Sequence, residues 1–384
     1  MSPRDAPQPR PRLDVWLERA LGDAEPGHVG SGWISGTASV FLGLLALGGV
    51  LVLWLPGWLS TERFRPLYPM PAIRATLEGA LVVAFLLGVV SVVLRRRKVL
   101  GLTGVALSVL AALLGGGSAG SGVTHDRPLT LGADWFLLNL FLLAMLFVPL
   151  ERAFPQRSQS PFRPGWSTDL VHFGVSHLLV QVLSFLILWP ATRLAGLWQP
   201  TGFQALVRAQ PLWLQVVACV LVADLAQYAV HRTFHRVPWL WRFHAVHHSS
   251  ESLDWLAGSR LHLVDALATR SLVLVPLFLV GFAERALESY LVFVSFHAVF
   301  IHANVRFPLR LVEPLLVTPR FHHWHHSAAP EARDRNFAVH LPWLDRIFGS
   351  WYLPRAAWPA ELGIEGRPVP AGWLGQTLHP FRAG

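Results

Sequence analysis

The stretch His231-Arg-Thr-Phe-His235-Arg-Val-Pro-Trp-Leu-Trp-Arg-Phe-His244-Ala-Val-His247-His248 places five histidines within eighteen residues, directly after a long apolar run. A second cluster, His322-His323-Trp-His325-His326, follows another apolar stretch. Neutral imidazole is the commonest side-chain metal ligand. Histidines three or four residues apart share one face of a helix. The two clusters therefore predict helices that present imidazoles to a metal.

The spacing repeats in three boxes: His231-x3-His235, His244-x2-His247-His248 and His322-x2-His325-His326. Histidines scattered along a membrane surface would not repeat this pattern. Eight box histidines exceed what one tetrahedral metal needs. Adjacent histidines point about 100° apart on a helix, so each adjacent pair can serve two centres. We therefore expect two metal ions. Imidazole suits iron, zinc, copper and nickel alike, so the residues do not name the metal.

The composition indicates a polytopic membrane protein. Of its 384 residues, 53% are hydrophobic and only 14% are charged, whereas soluble proteins carry about 25% charged residues. The single Cys219 excludes an internal disulfide framework and makes an iron–sulfur cluster improbable, since those clusters need several thiolates. The net charge of +9 comes from arginines between apolar stretches, which favours membrane orientation over nucleic-acid binding.

The apolar stretches predict an all-α fold, a polytopic membrane helical bundle with a helical, histidine-rich cap that faces the cytoplasm. Each stretch approaches the ~20 residues that a bilayer requires. The predicted spans are 38–57, 77–94, 99–117, 134–150, 169–189 and 212–230, followed by a helical hairpin over 263–301. Within that hairpin the apolar part 271–282 is too short for a simple crossing.

Four segments follow from this pattern. We expect a partly disordered cytoplasmic extension at 1–37 with a short helix around 13–21, a four-helix transmembrane unit at 38–150, a catalytic domain at 151–353 and a tail at 354–384. With the amino terminus in the cytoplasm, most arginines fall in cytoplasmic loops, as the positive-inside rule requires. All three histidine boxes then lie on the cytoplasmic face. The Ala-, Leu- and Arg-rich composition with one lysine suggests a bacterial inner membrane.

Asp224, Tyr228, His231 and His235 form one helical stripe. A carboxylate inside a membrane span is costly unless it is paired. We therefore expect Asp224 to accept a hydrogen bond from a ligand imidazole and to orient it, as carboxylates near metal sites do. A helix-packing hydrogen bond is the alternative.

The region 150–353 resembles the fatty acid hydroxylase/sterol desaturase superfamily of membrane di-metal oxygenases. The resemblance rests on the three boxes and on flanking motifs. These motifs are Glu151-Arg-Ala-Phe-Pro155, Leu240-Trp241-Arg-Phe-His244-Ala-Val-His247-His248-Ser, His302-Ala-Asn304-Val-Arg-Phe-Pro, Thr318-Pro-Arg-Phe-His322, Asp334-Arg-Asn336-Phe and Leu344-Asp345-Arg-Ile-Phe-Gly349. The chain departs from the family at His262-Leu-Val-Asp265, where His-Pro-x-Glu is common, and at Asn336-Phe-Ala, where Asn-Tyr-Gly is usual.

The resemblance implies a lipid hydroxylase or desaturase. It adds His262 and His302 to the metal ligands, and it gives Asn304 a supporting role in the catalytic site similar to that expected of Asp224. The implied cofactor is a pair of non-haem iron ions, which zinc can replace during purification. The substrate would be a fatty acyl, sterol-like or other isoprenoid lipid in the membrane. Electrons would come from a separate donor, a ferredoxin or cytochrome b5 type with its reductase, and no nucleic acid is expected.

Two other classes stay open. A metal transporter or sensor would place its ligands along a path through the membrane, whereas these histidines gather at one face. A zinc-dependent membrane hydrolase would need a catalytic glutamate beside its ligands, and no box contains one.

Overall fold

The computed structural model describes residues 30–61, 65–120, 130–197, 202–355, 357–366 and 368–382. Across these residues the chain forms helices and short 3-10 turns, with isolated β-bridges and no strand. The expected all-α fold is thereby confirmed. Most of the predicted extension, including the short helix at 13–21, lies outside the described residues.

Fifteen α-helices follow one another in the described ranges. They are α1 Trp33–Trp54, α2 Pro56–Leu59, α3 Met70–Leu94, α4 Val99–Leu113, α5 Ala133–Ala153, α6 Trp166–Leu178, α7 Val180–Leu197, α8 Gly202–Arg208, α9 Leu212–Arg236, α10 Pro238–His248, α11 Leu263–Val280, α12 Glu284–His302, α13 Pro319–His325, α14 Trp343–Ile347 and α15 Trp373–Leu378. Six stretches are long and apolar enough to cross a membrane: α1, α3, α4 with its extension to Ser118, α5, α9 and α11. The polytopic character is therefore confirmed.

One predicted span differs from the structure, and one predicted helix pair is present. The span at 169–189 is a bent pair, α6 and α7, with an angle of 69° between Trp166–Leu178 and Val182–Leu194, and it counts as a seventh crossing only if the pair is one span. The helix pair predicted over 263–301 is present as α11 and α12, and most of the apolar part 271–282 lies in α11, which starts at Leu263 and has 18 residues. The first turn of α11 contains Asp265. Its hydrogen bond with His244 offsets the cost of placing a carboxylate in this apolar helix.

The first compact unit contains Val15–Met145 and Gly174–Val182. Its helices α1, α3 and α4 pack closely through small residues, the arrangement that favours helix association in lipid. A Cβ atom at Gly104 or Gly36 would collide with Ser39 or Ser91. Ser39 in turn donates a hydrogen bond to the carbonyl of Ala84, 2.6 Å away. The outward faces of these helices are apolar and exposed, as a lipid-facing surface should be.

The second unit contains Leu146–Phe173 and Leu183–Gly384 together with residues 1–14, which lie outside the described ranges. One apolar cluster joins α9 to α11 and α12, and it includes Cys219, Leu277 and Tyr290. A second cluster continues along the carboxyl half of α9. It holds Tyr228, Ile301, Val317, Phe321, Phe337, Ala338 and Leu344. The histidine boxes lie in this unit, and the second cluster holds α9 and α13, which carry the first and third boxes.

Candidate metal centre

The junction of α9 and α10 brings the first two boxes together. Helix α9 ends at Arg236 and α10 starts at Pro238, so one residue, Val237, separates them. Proline suits the first position of a helix and cannot continue the preceding one, since it lacks the N–H group. The chain therefore turns here, and the imidazoles of α10 meet those of α9. His231 and His244 approach to 3.0 Å between their Nε2 atoms.

Nine imidazoles gather in two groups that each could hold a metal ion. Within each group the candidate ligand atoms lie within 4.8 Å of one another. Group A contains His231, His235, His244, His248 and His325, and group B contains His247, His302, His322 and His326. The adjacent pairs His247-His248 and His325-His326 divide between the groups. This is the distribution that the helical offset of about 100° gives to neighbouring residues.

Hydrogen bonds fix the tautomer of five of these imidazoles. In each case Nδ1 faces an oxygen that can only accept, so Nδ1 carries the proton and Nε2 keeps its lone pair. The acceptors are the carbonyl of Phe337 for His231 at 2.8 Å, a carboxylate oxygen of Asp265 for His244 at 2.7 Å, and the carbonyls of Arg260 for His247 at 3.0 Å, Ala298 for His302 at 2.7 Å and Arg335 for His325 at 2.8 Å.

With these tautomers, two pairs of imidazoles turn their Nε2 lone pairs toward each other, an arrangement suited to binding a metal. The Nε2 atoms of His231 and His244 face each other at 3.0 Å, and those of His247 and His302 at 3.3 Å. Two nitrogen lone pairs cannot form a hydrogen bond with each other, so a cation bound by both nitrogen atoms would stabilise each contact. Five further buried ring nitrogens have no hydrogen-bond partner in the described structure. They are Nε2 of His235, His248 and His325 and Nδ1 of His322 and His326. The residues present therefore fit two metal ions with nitrogen ligands.

The environment keeps four imidazoles of the second and third boxes neutral, those of His247, His248, His325 and His326. Burial, followed by repulsion from His244, lowers the pKa of His247 to about 4. Burial and neighbouring imidazoles hold the pKa values of His248, His325 and His326 well below the usual range. An imidazole must be neutral to bind a metal. The site is therefore ready to bind a metal at neutral pH.

One predicted ligand lies outside both groups. His262 is in neither group, because its Nδ1 caps α11 by accepting from the N–H of Val264 and its Nε2 lies 3.1 Å from the carbonyl of Thr377. The ligand role expected for His262 is not supported by this geometry. His323, which was not expected to bind metal, has its Nε2 3.3 Å from the carbonyl of His302.

Asp224 and Asn304 contact backbone groups rather than ligand imidazoles. The carboxylate of Asp224 accepts the N–H groups of Val339, His340 and Leu341. The side-chain amide of Asn304 bonds both ways to the backbone of Arg157, at 2.9 and 2.8 Å. The direct contact expected between Asp224 and a ligand imidazole is therefore corrected by the structure.

The carboxylate that does orient a ligand is Asp265, which the sequence analysis passed over. It is buried, it lies 2.7 Å from Nδ1 of His244, and its other oxygen accepts from Thr269 at 3.0 Å. A signal was present, because an acid in the first turn of an apolar span is costly unless paired.

A buried charge network also escaped prediction. Arg163 bonds to Asp254 and to Asp169, and Asp169 also accepts from Arg260 at 2.5 Å. Coulomb attraction to both carboxylates raises the pKa of Arg163 against the opposing effect of burial. The network holds Arg260, whose carbonyl fixes the tautomer of His247. It therefore supports group B.

The fold and the site define a polytopic membrane protein whose residues 216–350 match the family model of the fatty acid hydroxylase. This match confirms the resemblance of this part of the chain to the superfamily. The chain is 32% identical over 171 residues to ornithine lipid hydroxylase OlsE of Rhizobium tropici, which covers 44% of this chain and 51% of that protein. It is 28% identical over 219 residues to alkylglycerol monooxygenase of Homo sapiens, covering 55% of this chain and 46% of the relative. The chain thus spans about half the length of these curated relatives. No solved structure matches it.

Proposed function

We propose that this protein is an integral membrane di-iron monooxygenase that hydroxylates a lipid. The observation that carries the proposal is the pair of buried imidazole groups, with lone pairs that converge on two points inside a fatty acid hydroxylase domain. The names of the relatives describe a hydroxylase and monooxygenases that act on lipids. They favour hydroxylation over desaturation for this chain.

Each part of the site contributes to that reaction. Bound iron would supply the activation of O2 for insertion of one oxygen atom into an unactivated C–H bond. The neutral imidazoles hold the metals, and their hydrogen-bonded Nδ1 atoms keep the rings aimed at them. The groups are buried, which excludes water from the reacting centre. Monooxygenation also consumes two electrons, which would come from a separate donor of the ferredoxin or cytochrome b5 type, and two protons from solvent, and the second oxygen atom of O2 would leave as water.

We also propose that both groups open on the cytoplasmic side of a bacterial inner membrane. The arginine distribution of the sequence supports this orientation, because positive residues gather in cytoplasmic loops. The lipid would enter from the bilayer and the electron donor from the cytoplasm. Residues 151–353 would form the catalytic domain.

Expression of the full chain in a bacterial host tests the function. We expect lipid extracts to contain a species heavier by one oxygen atom, labelled when isotopic O2 is supplied. The matched variants are His325→Ala, which removes a ligand of group A, and His379→Ala, which lies in neither group. The first should lose the product and fall below two metals per chain by elemental analysis, and the second should behave as wild type. Product that forms without O2, or activity that survives His325→Ala, would overturn the proposal and favour a zinc hydrolase or a transporter.

A further inference from the structure

A backbone segment, residues 334–341, runs along α9 in the opposite direction, and we refer to it as the strap. The contacts follow the helix in order. Asp224 meets the strap at residues 339–341, His231 meets it at Phe337, and Nδ1 of His235 lies 3.5 Å from Asp334. The polar stripe of α9 is thus the seam that receives the strap. At about 1.5 Å per residue, α9 rises about 16 Å from Asp224 to His235, and the strap, which turns at Asn336, covers this length without being fully extended.

Two buried carboxylates bind the strap through its N–H groups. Asp224 accepts from Val339 at 2.9 Å, His340 at 3.1 Å and Leu341 at 2.6 Å. Asp345 accepts from Phe337 at 2.8 Å and from Ala338 at 2.9 Å. Five consecutive backbone N–H groups therefore point to carboxylate oxygens.

Asp224 and Asp345 have no exposed surface, so both carboxylates are fully buried. Burying a charge is unfavourable unless hydrogen bonds compensate. Burial raises the pKa of Asp345 to about 6, so it is still mainly ionised at neutral pH and acts as an acceptor. Ser350 donates a further hydrogen bond to Asp345 at 2.7 Å and lies 2.6 Å from the hydroxyl of Tyr228 on α9. Both carboxylates are thereby tied to α9.

The carbonyl groups of the strap face the metal site. The carbonyl of Phe337 accepts from His231 and that of Arg335 accepts from His325, and both histidines belong to group A. Asn336, between them, has the left-handed φ of 59°, which turns the chain. Its side chain donates to the carbonyls of Phe321 and Tyr352. These contacts fix the direction of both carbonyls.

We propose that Asp224 and Asp345 are positioning residues of group A that act through the strap. By holding its N–H groups they aim the carbonyls of Phe337 and Arg335 at His231 and His325, and so keep Nε2 of both rings free for metal. The inference rests on the proposed function in that it takes group A as a metal site. It assigns no contact between either carboxylate and the metal.

The test uses Asp345→Asn and Asp224→Asn in the full-length, metal-depleted protein. An asparagine keeps the volume but presents an NH2 donor where the strap also presents donors, so the strap must shift. Co²⁺ is the probe, titrated in the presence of a competing chelator and followed by its visible spectrum. We expect one of two binding steps to weaken about 10–100-fold, as loss of outer support does at other metal sites, while the other step stays as in wild type. Thermal unfolding measured in detergent should show that both variants remain folded.

The control is Asp134→Asn in the first unit. Asp134 accepts from Ser60 and from the backbone N–H of Thr61, so its loss also disrupts a carboxylate-to-backbone contact. This variant should lower thermal stability without changing either Co²⁺ step. If Asp224→Asn fails to fold, Asp345→Asn and the milder Ser350→Ala decide the outcome. Equal weakening of both steps, or lower stability with unchanged Co²⁺ binding, would show a merely structural role and overturn the inference. If one Co²⁺ binding step weakens selectively in the variants but the wild-type protein oxidises no lipid, the inferred role of the two carboxylates stands and only the proposed function is refuted.

Discussion

Removal of the Asp265 carboxylate should weaken metal binding at group A. The carboxylate is buried and lies 2.7 Å from Nδ1 of His244, a distance typical of a charge-assisted hydrogen bond. In Asp265→Ala the buried Nδ1–H loses its acceptor, which costs about 1–3 kcal/mol. The ring can then move its proton to Nε2, and His244 would present an N–H group where the metal needs a lone pair.

Two independent scales give the same magnitude. Loss of a group that orients a ligand imidazole typically weakens metal affinity by about 10–100-fold. At about 1.4 kcal/mol for each factor of ten, this corresponds to about 1.4–2.7 kcal/mol, which falls within the hydrogen-bond estimate. Asp265→Asn keeps one acceptor oxygen and should lie at the lower end, about tenfold.

Competition between the protein and a chelator of known affinity measures the effect, with lipid oxidation as the second readout. The matched control is Thr269→Val, which removes the hydroxyl that donates to the other oxygen of Asp265 at 3.0 Å and leaves the contact with His244 intact. We expect this control to change affinity by less than about tenfold, because Nδ1 of His244 keeps its acceptor. A folded Asp265→Ala variant that binds metal within about threefold of wild type would contradict the reasoning, since the typical loss is larger.

Two further predictions concern pH and orientation. Burial lowers the pKa of His340 to about 4, whereas a histidine in the unfolded chain has a pKa of about 6.5. The unfolded chain therefore binds the proton more readily. As a result, the stability that this group contributes falls as pH drops from about 6.5 to about 4. His340→Gln should therefore show a shallower loss of thermal stability in detergent between pH 6.5 and 5, by up to about 2 kcal/mol; an unchanged slope would show that His340 does not titrate in this range. A cysteine at exposed Ala209 should react with an impermeant reagent from outside the cell, and one at exposed Glu251 should not, against the low background of buried Cys219; labelling at position 251 from outside would reverse the proposed orientation.

The sequence could predict the histidine groups because their order is local. Residues four apart share a helical face whatever the rest of the fold does. His231 with His235, and His244 with His248, accordingly join group A. The division of adjacent histidines between two centres follows from the same helical geometry. For these residues the tertiary structure only had to bring helices together.

The partners of the carboxylates could not be predicted in this way. The stripe placed Asp224 on the correct face of α9, but its partners lie more than one hundred residues later, at 339–341. Spacing on one helix says nothing about which backbone segment packs against it. The role expected of Asp224 belongs to Asp265, which meets His244 because α11 packs beside α10. Tertiary contact, not sequence pattern, decides which acid orients an imidazole.

The same contacts make the two metal groups electrostatically unequal. Group A has five imidazoles, and two carboxylates approach them, Asp265 at 2.7 Å and Asp334 at 3.5 Å. Group B has four, and in the described part of the chain its hydrogen bonds run to carbonyls and to other imidazoles. A dication is stabilised by nearby negative charge, most strongly where water is excluded. Group A should therefore fill first as metal is added. Because the strap and Asp265 both support that group, damage to either should appear in the tighter binding step.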